Sequence, residues 1–97
     1  MALSVLAAPE VRYVDPLADL TGLDELNAFI GQAQQQFAGL AFRPGAAVDA
    51  HHKVARFGWE LAPGASSEAA AVGFDVIETG DDGRITRVTG FLDRVPQ

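Results

Sequence analysis

The sequence predicts an α+β domain in which a helix lies across one face of a curved antiparallel sheet. Three observations predict it. Apolar residues follow helical spacing from Leu23 to Phe37, the hydrophobic period changes to two from about residue 40 onward, and Asp82-Gly83 carries a hairpin signal between two apolar runs.

Size and composition bound the rest. The 97 residues, 48% apolar and 21% charged with a mean hydropathy of +0.12, describe one domain over residues 1–97 with room for a single modest core. The net charge of −6 repels phosphate backbones and anionic headgroups, so nucleic acid and an anionic membrane surface are not expected partners. Without cysteine there is no disulfide, thiolate nucleophile or Cys-ligated metal, and a cytoplasmic location is expected. The apolar start, Met1 to Ala8, is far below the roughly 20 residues of a membrane span and lacks a basic leader.

Along the chain, Met1 to Ala8 is rich in Ala and Leu and predicts the last two turns of a helix stopped by Pro9. Val11-Arg12-Tyr13-Val14 predicts a short strand ended by Asp15-Pro16. Thr21-Gly22-Leu23-Asp24 has the form of a capping box, and Leu23, Leu26, Phe29, Ile30, Ala33 and Phe37 place a helix over about Leu23 to Gln36. Leu40 to Asp49 predicts a strand that Pro44-Gly45 bulges or confines to an edge, and residues 50–53 turn the chain. Ala55, Phe57, Trp59 and Leu61 alternate with Arg56, Gly58 and Glu60 as a strand, followed by a loop at residues 63–67. Strands over about Ala70 to Glu78 and Arg84 to Arg94 complete a four-strand meander.

In order and spacing, Val11-Arg12-Tyr13-Val14-Asp15-Pro16, the Gly-initiated helix, Phe57-Gly58-Trp59, Gly73-Phe74-Asp75, Asp82-Gly83-Arg84-Ile85 and Gly90-Phe91 resemble the nuclear-transport-factor-2-like superfamily. The chain is most similar to its SnoaL-like branch, which includes polyketide cyclases and ketosteroid isomerases. The resemblance implies a cystatin-like cone, in which a strongly bent sheet wraps helices around an apolar cavity, and dimerisation through the outer sheet face. It also implies a long first helix, bearing an oxyanion-hole tyrosine in the isomerases. Met1 to Ala8 matches only the end of the second helix, so the first is expected to be absent, and Tyr13 in the first strand is not that tyrosine's counterpart.

The same resemblance assigns two carboxylates to chemistry. Asp15 resembles a general base and Asp75 an acid that stays protonated and donates a hydrogen bond to an enolate oxygen, a division that requires environments pushing the two pKa values apart. Strand parity places Asp75 with Ala71, Gly73 and Ile77 among small and apolar neighbours. If that face lines the cavity, Phe57, Trp59, Val88, Gly90 and Leu92 share it and suit a small hydrophobic molecule. Each residue has a plainer reading. Asp15 before Pro is also a turn former, Asp75 also a structural carboxylate paired with Arg or a backbone donor, and Phe57 and Trp59 also ordinary core.

The expected activity is an isomerase or cyclase acting on a small ketone or polyketide-like substrate. The alternatives are a non-catalytic ligand-binding or dimeric scaffold module, or a truncated inactive homologue. No motif implies a cofactor or metal: His51 and His52, as strand neighbours, point to opposite faces, and Asp81-Asp82 lacks the spaced ligands of a calcium loop. A homodimer is expected to cover Arg56, Gly58, Glu60, Val72, Phe74, Val76 and Phe91 on the outer face.

Overall fold

A computed structural model describes residues 3–45, 48–64 and 68–94. The first two residues of the expected N-terminal helix, Ala46 and Ala47 of the expected edge strand, and residues 65–67 of the expected loop lie outside them. In chain order the elements are α1 (Leu3–Leu6), β1 (Ala7–Asp15), β2 (Ala18–Thr21), α2 (Leu23–Gln36), β3 (Ala41–Pro44), β4 (Asp49–His51), β5 (Val54–Ala62), β6 (Ala71–Thr79) and β7 (Ile85–Arg94). The α+β class holds: a curved, unclosed sheet runs β2-β1-β7-β6-β5-β3, with β4 also paired to β5, and the β1–β7 pair is parallel where a wholly antiparallel sheet is expected.

The helix over Leu23–Gln36 and the long strands β5, β6 and β7 follow the sequence pattern. Several details differ. The N-terminal helix is a single turn, and Ala7 already belongs to β1. Pro9 therefore does not end a helix; it lies where the β1–β7 register slips between Ala7 and Arg12, a gap in the ladder that suits a residue without an N–H. Ala18–Thr21, which carries little strand signal, folds back on Arg12–Asp15 as β2.

The third difference is the cap of α2. Gly22, at φ 93°, occupies the N-cap and no side chain caps the helix, while the Thr21 N–H donates to Glu25 Oε1 at 3.1 Å. The expected capping box is therefore not made: the Gly22 N–H donates to Val11 O, and Glu25 instead accepts from Thr21, one residue before the cap.

Pro44 has the edge role expected of it. The expected Leu40–Asp49 strand is split into β3 and β4, which lie end to end along one edge of β5 with the Gly45 N–H donating to Gly58 O at 2.9 Å between them. Ala50 and His51, expected in the turn, belong to β4. At the 80–84 turn Gly83 has φ 82°, and Asp82 accepts from both the backbone and side chain of Arg84. Asp81 and Asp82 are exposed.

Register fixes the faces. Phe57 faces Asp75 and Trp59 faces Gly73, while Asp75 faces Gly90, Ile77 faces Val88 and Gly73 faces Leu92. Tyr13 pairs with Val88, so Tyr13 and Asp15 share that concave face. α2 packs over its β1 end, where Ala7, Val11 and Leu26 are buried and Tyr13, Leu20, Leu23 and Ile85 pack against them. Among the described residues no helix is long and apolar enough to cross a membrane.

Candidate functional site

Beyond the reach of α2, the concave face carries its polar groups. Asp15 ends β1, where Pro16 turns the chain, and its Oδ1 accepts the Leu17 N–H at 2.8 Å. Its Oδ2 accepts the Tyr13 hydroxyl at 2.5 Å. The turn reading of Asp15 is therefore realised, and it leaves one lone pair free on each oxygen.

Asp75 sits in mid-β6, where Oδ1 accepts the Trp59 indole N–H at 3.0 Å across the β5–β6 ladder. No described hydrogen bond reaches its Oδ2. Since no buried side-chain polar atom among the described residues lacks a partner, that oxygen is open to solvent in the cavity. The structural partner of Asp75 is thus an indole rather than an arginine.

Two glycines make this geometry possible by having no side chain. A Cβ on Gly73 would fall inside the Trp59 ring, so only Gly lets the indole lie flat across β6 toward Asp75. A Cβ on Gly90 would lie 3.0 Å from Asp75 Oδ1 and 3.2 Å from Asp15 Cβ. Gly90 therefore holds open the gap between the two carboxylates.

The cations are committed elsewhere. Arg12, Arg43, Lys53, Arg56, Arg84 and Arg87 pair with Asp19, Glu60, Asp81, Asp49, Asp82 and Glu78, and Arg94 donates to Ala69 O. Among the described residues no ion pair involves Asp15 or Asp75. Burial pushes the Asp75 carboxyl above its ordinary range, the Trp59 bond pulls it partly back, and the charge of Asp15 raises it again. Burial, the bond to Asp15 and the two carboxylate charges raise the Tyr13 phenol, which keeps its proton at neutral pH.

The resulting cavity, about 80 Å³, is lined by Tyr13, Asp15, Pro16, Phe42, Trp59, Asp75, Gly90, Phe91 and Leu92. Of the residues singled out from sequence, Asp15, Asp75, Trp59, Gly90 and Leu92 come together. Phe57, Ile77 and Val88 share the face by register but lie outside this lining. Tyr13, Pro16, Phe42 and Phe91 also line it without being singled out for it in sequence, and Phe91 departs from its expected place on the outer face. Tyr13 was findable by parity, two residues before Asp15 on a strand; Phe42 depended on the β3–β5 register, which nothing local specifies.

His51 and His52 also depart from the strand-parity expectation. His51 ends β4, but His52 lies in the turn at φ 51°, and the two Nδ1 atoms stand 3.1 Å apart.

Residues 2–88 match the SnoaL-like domain. The chain belongs to the SnoaL-like family. Among solved structures, this SnoaL-like domain is similar to a candidate isomerase of the same family from Agrobacterium tumefaciens, at 36% identity and a TM-score of 0.86 over 95% of this chain and 78% of that one. It shares its fold with a candidate SnoaL-like polyketide cyclase from Jannaschia, at 14% identity and TM-score 0.75 over 94% of this chain and 69% of that one. The same holds for a nuclear-transport-factor-2-like protein from Exiguobacterium, at 16% identity and TM-score 0.74, over 96% and 80% of the two chains. No curated protein matches the sequence.

Proposed function

We propose that this SnoaL-like domain is an acid–base catalyst of the isomerase or cyclase kind, working on the α-carbon of a small ketone or polyketide-like substrate. The observation that carries the reading is the meeting of Asp15 and Asp75 across Gly90 with no cation between them. The Agrobacterium relative, described as a candidate isomerase, supports the reaction class.

Asp15 is the base. Tyr13 and the Leu17 N–H orient its carboxylate, and a remaining lone pair takes the α-proton. Asp75 is the acid. Protonated, it accepts Trp59 on Oδ1 and donates Oδ2–H to the oxygen that gains charge as the enolate forms. Asp15 then returns the proton to carbon, closing the cycle without net acid or base. The cavity of about 80 Å³ is well below the roughly 300 Å³ of an ordinary ligand pocket, so it takes only the reacting end. The remainder of a hydrophobic substrate lies over Phe42 and Trp59, which meet edge to face at 5.3 Å.

Exchange in D₂O tests this. Wild type incubated with a panel of β,γ-unsaturated and 1,3-dicarbonyl ketones incorporates deuterium at the α-carbon, read by NMR. Asp15→Asn slows that exchange by about 10²–10⁴-fold, and Asp75→Asn by about 10²–10³-fold. The assignment fails if neither variant slows a ketone that the wild type deuterates.

A binding module without turnover is the second reading, favoured by the internal partners that Asp15 already has. Ketone-dependent quenching of Trp59, the single tryptophan, with no deuteration across the panel would select it. Under either reading the outer face, which carries Phe74 and Val76 by strand parity, is covered by a second copy of the chain. Sedimentation of a monomer at high micromolar concentration refutes the dimer.

A further inference from the structure

The geometry points to a transition-metal site at the β4–β5 turn, where the imidazoles of His51 and His52 chelate one divalent first-row cation through their Nδ1 atoms. It is independent of the Asp15–Asp75 cavity, shares no residue with it, and does not rest on the proposed reaction.

Neighbouring residues on a strand cannot converge on one ion, because their side chains leave opposite faces. His52 escapes that constraint. At φ 51° it is the one non-glycine residue with positive φ among the described residues, and this backbone turn swings its ring to the side of His51. The rings stand nearly perpendicular, at 86°, with Nδ1 to Nδ1 at 3.1 Å.

That separation fits the bite of a metal ion. With metal–nitrogen bonds of about 2.0–2.1 Å, a 3.1 Å span subtends an angle of about 98° at the metal. The angle falls between the right angle of square-planar or octahedral coordination and the tetrahedral angle. The two Nδ1 atoms stand within hydrogen-bond distance of each other. With the ring proton on Nε2, which has no hydrogen-bond partner among the described residues, each imidazole offers its Nδ1 lone pair to the metal.

The surroundings leave room for the rest of the coordination shell. His51 lines a cavity of about 250 Å³ with Asp49, Val54, Ala55, Arg56 and Val76, and both histidines are exposed. Arg56 is occupied by Asp49 at 3.7 Å and Lys53 by Asp81, so the two nearest cations are each offset by a carboxylate. The net charge of −6 favours any cation. Among the described residues no third His, Asp or Glu joins the pair, so water fills the remaining positions. Imidazole donors select Cu²⁺, Ni²⁺ and Zn²⁺ over Mg²⁺ and Ca²⁺, with Cu²⁺ tightest.

These are the only two histidines and there is no cysteine, which makes the test clean. CuCl₂, ZnCl₂ and MgCl₂ are titrated into the full chain by calorimetry, and the Cu²⁺ complex is examined by electron paramagnetic resonance. One Cu²⁺ binds with hyperfine structure from two equivalent imidazole nitrogens, Zn²⁺ binds more weakly, and Mg²⁺ gives no heat. His51→Gln and His52→Gly each weaken Cu²⁺ binding more than tenfold, since even an outer-shell partner of a metal ligand is worth about 10–100-fold. Glycine suits the left-handed backbone at residue 52, so that variant keeps the turn. Unchanged circular dichroism in both variants confirms that they fold. Single-nitrogen or all-oxygen coordination, or equal Cu²⁺ affinity in wild type and either variant, overturns the site.

Discussion

The concave face of this sheet has two regions that differ in almost every respect. At the β1 end α2 lies over it, and Ala7, Val11 and Leu26 are buried with apolar neighbours around them. At the β5–β6–β7 centre Phe42 is 71% exposed, and the face carries Asp75, the Trp59 N–H and the approach to Asp15. One sheet thus supplies a dry corner for stability and a wet one for chemistry. The comparison teaches that Tyr13 joins the two regions: its ring packs on Phe29 of α2 at 5.3 Å, and its hydroxyl donates to Asp15 at the cavity.

Mutations should divide along the same line. The largest effect belongs to the covered corner: Leu26→Ala, at a position 6% exposed, destabilises by about 2–5 kcal/mol in urea unfolding. Gly73→Ala comes next, because its methyl must push Trp59 aside. The expected cost is about 1–3 kcal/mol, with an altered Trp59 emission that Leu26→Ala does not produce at matched fraction folded.

Asp75→Asn inverts the sign. The folded state raises this carboxyl from its ordinary 3.8, so the native protein binds that proton more tightly than the unfolded chain. Stability contributed by the protonated form is present below 3.8 and lost as pH rises through the higher folded value. Asn keeps the acceptor for Trp59 without the charge. The variant therefore melts above wild type at pH 7, and the difference vanishes near pH 3; equal melting temperatures at both pH values would break the comparison. Smallest is Phe42→Ala, which gives up an aromatic edge contact worth about 0.5–1.5 kcal/mol and widens the cavity mouth.

The covered corner was also the more legible in sequence. Six apolar residues at helical spacing predicted a helix over about Leu23 to Gln36, where α2 lies, because a periodic face signals the element that buries it. Alternation did the same for β5, β6 and β7. Ala18–Thr21 gave no such signal: a four-residue strand whose exposure alternates around Asp19 and Leu20 exists because Arg12–Asp15 offers it an edge. The pairing of Asp75 with Trp59 was half visible, since parity put both on one face but only the β5–β6 register aligned them. The His51–His52 contact was hidden, because strand parity says nothing once a residue leaves the strand for a left-handed turn.

The parallel pairing of β1 with β7 has a consequence for how the molecule comes into being. Its first and last strands are neighbours, and Asp15 and Gly90 meet only through that seam. As the chain leaves the ribosome, β5, β6 and β7 can zip sequentially through short connections, while β1 must wait for the final segment before it gains its second neighbour. The proposed base is thus synthesised early and installed last. A chain that ends before residue 85 lacks the strand against which Asp15 is positioned.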